Sequence, residues 1–300
     1  MPDNESPTPA PQRGATGEEP APKKAKRKHK PRRIEDPPSL ASPAAAGPAG
    51  ALLEGHVGAQ YLLPLLSGGE ARGLPGVVVT RVAFQRASLG HPMDDVVVTG
   101  TDSQGRAATL ELQAKRTITF TATDPVFKDV VALACQAAAK PEFETARYEL
   151  AVAVARTSTK IEQYVQEALK WARDYQDAEG FFRRLNQPGV AHQAMRDFVA
   201  AFRDHMRAAG AAHDDAAVWR LLSRFQVLAF DFEQPGSICA QLARERAAFV
   251  LAPAEAGRAS QFWDSLQQIA LEVDAAGGDL DAPGLRERLT GERGYRLAGD

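Results

Sequence analysis

Apolar positions along the chain change their period several times, and each change marks an element. Between 51 and 66, Leu52, Leu53, Val57, Tyr61, Leu62, Leu65 and Leu66 recur at helical spacing and predict an opening helix, which Pro64 kinks or ends. Gly55 and Gly58 suggest close approach of that helix to another element. A β-branched run around Val77, Val78 and Val79 predicts a strand within 76–85, and Val96, Val97 and Val98 a second over 94–99. After a Gly100–Gly105 turn, a third strand over 108–119 alternates Leu110, Leu112 and Ala114 with Glu111, Gln113 and Lys115. Asp124 is placed to cap a helix over 126–140. The almost wholly apolar stretch 148–155 suits a central strand with both faces covered. Ser158, Thr159 and Lys160 open another helix over 161–176. Phe181, Phe182, Met195, Phe198, Phe202, Met206, Val218, Leu221 and Leu222 keep helical spacing through 177–222. One more strand, 225–232, ends at Gln234-Pro235-Gly236, and helices over 237–251, 255–275 and 283–290 follow. The order α-β-β-β-α-β-α with helices behind it is an α/β layout, without internal repeats.

Composition divides the chain further. Residues 1–50 are rich in Pro, Ala, Ser and charge, with almost no large apolar side chain before Ile34, so a disordered N-terminal tail is expected there. A core over 51–176 and a helical extension with one added strand over 177–300, regulatory or assembly in character, complete the expected division. The formal charge of -2 conceals an asymmetry, since nine of 36 Lys and Arg but only six of 38 acids fall in the first 50 residues. The remainder is mildly acidic, so a nucleic-acid groove would have to be local. The basic run Lys23–Arg33 reads either as a phosphate-binding arm or as a solubilising tail. Cys135 and Cys239 are expected as reduced thiols, and no apolar run is long enough for a membrane span, so a soluble, cytoplasmic protein is expected.

The polar row of the third strand carries the candidate chemistry. Ionisable side chains on a buried strand cost desolvation energy unless they bind something. An acidic pair, Asp94-Asp95, opens the strand before it, and Glu54 lies on the first helix. Carboxylates on adjacent strands suit a divalent cation, and a nearby lysine can orient water and offset phosphate charge. The candidate catalytic set is Asp95, Gln113, Lys115 and Glu54, with Asp95 or Asp94, Gln113 and Glu111 around a metal. Lys115, Arg116 and Lys160 are the candidate nucleic-acid contacts. Single matches of this kind are ordinary surface features; here the pair of consecutive strands and the order of elements raise the reading. His192, His205 and His213 lack metal spacing, and Trp171, Trp219 and Trp263 sit at core positions of helices.

An acid on one strand followed by Gln113-x-Lys115 on the next resembles the PD-(D/E)xK nucleases. With Met93–Val98, Leu112–Lys115 and Phe127-Lys128, the stretch from Glu54 to Ala137 resembles the dsDNA endonuclease modules of bacterial anti-phage proteins, among them CD-NTase-associated effectors and AVAST-type STAND NTPases. Leu221–Phe225 and Trp263–Leu266 extend the likeness to about 51–290. The resemblance implies a restriction-endonuclease-like core, a mixed central sheet flanked by helices, with a mainly helical C-terminal extension. It also implies Mg2+-dependent cleavage of double-stranded DNA, with Mn2+ as a substitute, in anti-phage defence. No P-loop is present, so a separate sensor or NTPase partner is expected, along with a homo-oligomer as one possibility. The competing reading is a catalytically inactive nucleic-acid-binding or adaptor module of a defence complex; a decayed nuclease, marked by Gln113 in place of an acid, is the third.

Overall fold

The computed structural model describes residues 47–299. The basic run Lys23–Arg33, and all of the expected tail before residue 47, lie outside the described residues. A mixed sheet organises the rest. Its order is β1 (Glu70–Ala71), β2 (Leu74–Ala83), β3 (Val96–Asp102), β4 (Ala107–Lys115), β5 (Arg147–Val154) and β6 (Phe225–Ala229), with β7 (Asp279–Asp281) also on β2. Strands β1 to β4 run antiparallel, whereas β4–β5 and β5–β6 are parallel. Hairpin β3–β4 pairs Val96 with Leu112 and Thr101 with Ala107, the register that the alternating pattern requires.

Period 2 then sorts the two faces. Leu110, Leu112 and Ala114 join Val96, Val98, Ala151 and Ala153 in one core, under α1 (Gly47–Ser67), α8 (Ile238–Val250), α9 (Ala259–Ala276) and α10 (Ala282–Glu287). Leu150, Val152 and Val154 face the other core. It is built by α2 (Pro125–Ala138), α3 (Pro141–Thr145), α4 (Gln166–Asp174), α5 (Ala178–Asn186), α6 (Gln193–Ala208) and α7 (Asp215–Leu222). This is the expected mixed α/β class, with helices on both faces of the sheet. Asp124 caps α2 as expected, its carboxylate accepting from the Val126 amide. The third strand stops at Lys115, four residues short of the expected end. Strand β6 ends at Ala229, and strands β1 and β7 are too short to leave a periodic signal.

Glycine permits two close approaches that the site depends on. A Cβ at Gly58 would overlap the Phe84 ring, which lets α1 lie against the end of β2. One at Gly100 would overlap the Val78 carbonyl oxygen within the sheet. On the open side of β6, the carbonyls of Phe225, Val227 and Ala229 are taken by Arg173, Gln166 and the Cys239 thiol. That capping satisfies an edge which would otherwise offer itself to another strand.

Candidate functional site

Strand β3 begins one residue after Asp95, and this places the Asp95 carboxylate beside the end of β4. Its Oδ2 accepts from the Ala114 amide at 2.7 Å and from Gln113 Nε2 at 2.5 Å. Lys115 Nζ stands 4.0 Å from the same oxygen. The Asp95 carboxylate therefore reads the backbone and two side chains of β4 at once. Gln113 is turned so that its amide donates to Asp95, which leaves Gln113 Oε1 buried with no hydrogen-bond partner among the described residues.

Helix α1 brings Glu54, only 4% exposed, to the same place. Gln85 bridges Glu54 to a residue absent from the expected set: its Nε2 donates to Asp274 Oδ1 at 3.0 Å and to Glu54 Oε2 at 3.4 Å. Gln85 adopts φ of 51°, in the left-handed region that non-glycine residues enter at a cost. Asp274 lies on the buried stripe of α9, beside Ala270 and Val273. An acid inside an apolar helical stripe is a signal that the sequence carries, since such residues are seldom fully buried without a partner.

Burial dominates the electrostatics. It pushes the Glu54 carboxyl up to about 8, with the charges of Asp95 and Asp274 adding to the rise. Asp95 rises to about 6 for the same first reason, held back by Lys115 and the Ala114 amide. Asp94 and Asp274 are also raised by burial. Near neutral pH the pocket therefore offers a protonated Glu54 as a hydrogen-bond donor, Gln113 Oε1 as an acceptor and Lys115 as a cation.

Glu111 belongs to a different cluster. Fully buried, it accepts from the Met93 amide at 3.1 Å, Lys140 Nζ at 2.9 Å and the Tyr148 hydroxyl, with His91 Nδ1 at 2.8 Å. Burial would raise its carboxyl, yet the hydrogen bonds from His91, Tyr148 and Lys140 hold it below the usual range. Asp94 accepts from the Ala87 amide at 3.1 Å and so ties down the loop before β3. Arg116 makes a bidentate pair with Glu233 at 2.7 and 2.8 Å. Lys160 lies in the first turn of the helical segment that follows β5, the strand parallel to β4. Of the expected residues, Glu54, Asp95, Gln113 and Lys115 come together; Glu111 and Arg116 are engaged elsewhere.

The donors suit a hard cation in kind. Glu54, Asp95 and the unpartnered Gln113 Oε1 are oxygen ligands of the class that Mg2+ takes. Among the described residues no three His, Cys, Asp or Glu converge as a metal-binding group.

No family model matches the chain, and no curated protein does. Solved structures that it resembles include receptors. One is the Cap4 SAVED/CARF-domain containing receptor of Acinetobacter baumannii with the cyclic trinucleotide 3'3'3'-cAAA, at 12% identity and a TM-score of 0.45 over 81% of this chain and 46% of that one. Another is the Moraxella osloensis Cap4 SAVED/CARF-domain containing receptor, at 12% identity and a TM-score of 0.42 over 82% and 49%. The chain thus spans less than half the length of the solved structures it matches. These findings correct the expected family: the matched structures are described as receptors, none as a PD-(D/E)xK nuclease module. The expectation of a Mg2+-dependent endonuclease acting on double-stranded DNA is withdrawn with it. Among the described residues no helix is long and apolar enough to cross a membrane.

Proposed function

We propose that the chain is a nucleic-acid-binding or adaptor module of a defence complex, and that it takes a phosphodiester ligand in the pocket of Glu54, Asp95, Gln113 and Lys115. The observation that carries the reading is the buried, unpartnered Gln113 Oε1 beside Lys115 and the Asp95 carboxylate. An acceptor left unsatisfied in a buried site costs about 1–3 kcal/mol, which a bound ligand or cation relieves. Lys115 supplies the charge for a phosphate, and protonated Glu54 can donate to a phosphate or base oxygen. When bound, Mg2+ would add charge neutralisation between Glu54, Asp95 and the phosphate, with Gln113 Oε1 as a neutral ligand. The restriction-endonuclease-like layout expected from the order of elements would then serve as a scaffold for binding.

Fluorescence anisotropy with short labelled oligonucleotides, single- and double-stranded, tests this directly. Binding that Lys115→Ala weakens about tenfold, the loss of one well-placed charged contact, is the expected result. Equal affinity in both proteins, or no binding with or without Mg2+, overturns the pocket as the ligand site.

A further inference from the structure

Helix α8 carries an apolar stripe that nothing among the described residues covers. Ile238, Leu242 and Phe249 are 66%, 44% and 82% exposed, and they fall on one face of the helix together with Glu245. The opposite face, Ala243, Ala247 and Val250, is buried against the core that also holds α1 and α9. A helix that buries one stripe and exposes a second has two faces to satisfy. Phe249 also walls a cleft of about 350 Å³ at the end of α1, together with Leu63, Pro64 and Arg246. Its ring stands at the rim of that cleft, open to an incoming side chain.

The charges beside the stripe select the occupant. Glu245 and Arg246 are consecutive, exposed and opposite in sign. Glu245 accepts only a neutral hydrogen bond, from Gln241 at 3.0 Å, and Arg246 has no ion-pair partner among the described residues. A two-fold axis between these two positions, with the helices antiparallel, sets Glu245 against the partner's Arg246 and Arg246 against the partner's Glu245. The same axis sets Leu242 against the partner's Phe249, and the reverse. One register therefore satisfies both the charges and the apolar side chains, which is the self-complementarity that an isologous interface demands. We propose that α8 is the seam of an antiparallel two-fold dimer between two copies of this chain. The proposal does not depend on the ligand pocket, to which none of these residues contributes.

Sedimentation velocity on the full chain, with circular dichroism to confirm folding, provides the test. The wild type is expected to dimerise, and Phe249→Asp to weaken the dimer at least tenfold, because a buried aromatic anchor is exchanged for a charge. Glu245→Arg and Arg246→Glu each place like charges across the axis, and each is expected to be monomeric by itself. Mixed in equal amounts, the two variants restore both ion pairs, so their mixture is expected to dimerise as the wild type does. A wild type that stays monomeric up to ~1 mM, the range of the weakest specific complexes, overturns the proposal. So does a mixture no better associated than either variant alone, since any other partner or register gives no reason for the rescue.

Discussion

Replacing Glu54 with Gln removes a proton-binding site that burial has displaced far from its ordinary range. The folded carboxyl titrates near 8, against about 4.5 when exposed. Between those values the folded chain holds a proton that the unfolded chain has released, so stability falls as pH rises. The contribution is fully present below about pH 4.5 and is lost as pH rises through 8. At about 1.4 kcal/mol per unit the whole displacement would be worth roughly 5 kcal/mol. Because Asp95 and Asp274 share the same field and their titrations are coupled to that of Glu54, about 2 kcal/mol is the appropriate expectation. Glu54→Gln keeps the shape and the Gln85 neighbour but cannot ionise. Its stability, measured by urea unfolding, should equal that of the wild type within error at pH 4 and exceed it by about 2 kcal/mol at pH 8.5. In a domain of this size that corresponds to a rise in Tm of about 4–8 °C. Mg2+ at pH 8.5 should narrow the gap by stabilising the wild type more than the variant, through binding to the charged pocket. A difference that is independent of pH, or a variant less stable than the wild type at pH 8.5, would refute the reasoning.

The other expectations concern the supports of the site. Lys140→Ala should cost about 3 kcal/mol by denaturant unfolding, because it strips a fully buried Glu111 of its cation; a cost near zero would show that His91 and Tyr148 suffice. Gly100→Ala should destabilise by about 2 kcal/mol or more, since its methyl meets the Val78 carbonyl inside the sheet; a neutral change in Tm would contradict the close approach. Gln166→Ala leaves the Val227 carbonyl on the open edge of β6 without its donor, so a loss of about 1 kcal/mol and a greater tendency to aggregate, followed by light scattering, are expected. Unchanged stability and unchanged scattering would show the edge to be protected by other means.

Much of the local fold was legible because burial follows period. The alternation Leu110, Leu112, Ala114 against Glu111, Gln113, Lys115 set both the face and the register of β4, and the structure keeps them. The cap at Asp124 was legible from position alone. The division of labour within the polar row was not. Glu111 and Gln113 share a face, yet Glu111 is claimed by Lys140 and Tyr148, residues 29 and 37 positions away, which no local pattern connects to it. Asp274 reaches the pocket from α9, and Gln85 joins it to Glu54 only because the backbone there turns left-handed. Strand β7 closes against β2 through Arg81–Asp279 and Arg86–Asp279 ion pairs, contacts across nearly 200 residues. The family reading failed for a related reason: an acid followed by Gln-x-Lys describes a few side chains at one sheet end, and many different sites share that much.

Incubation of a labelled oligonucleotide with the wild type and with Lys115→Ala, in Mg2+ and in Mn2+, measures capture and product length in one experiment. It addresses the central claim most directly, because Glu54, Asp95 and Lys115 meet in one pocket. The account predicts that the wild type retains the oligonucleotide intact, and that Lys115→Ala releases it. Metal-dependent shortening of the oligonucleotide by the wild type, abolished in Lys115→Ala, would contradict the account and make the pocket a hydrolytic centre.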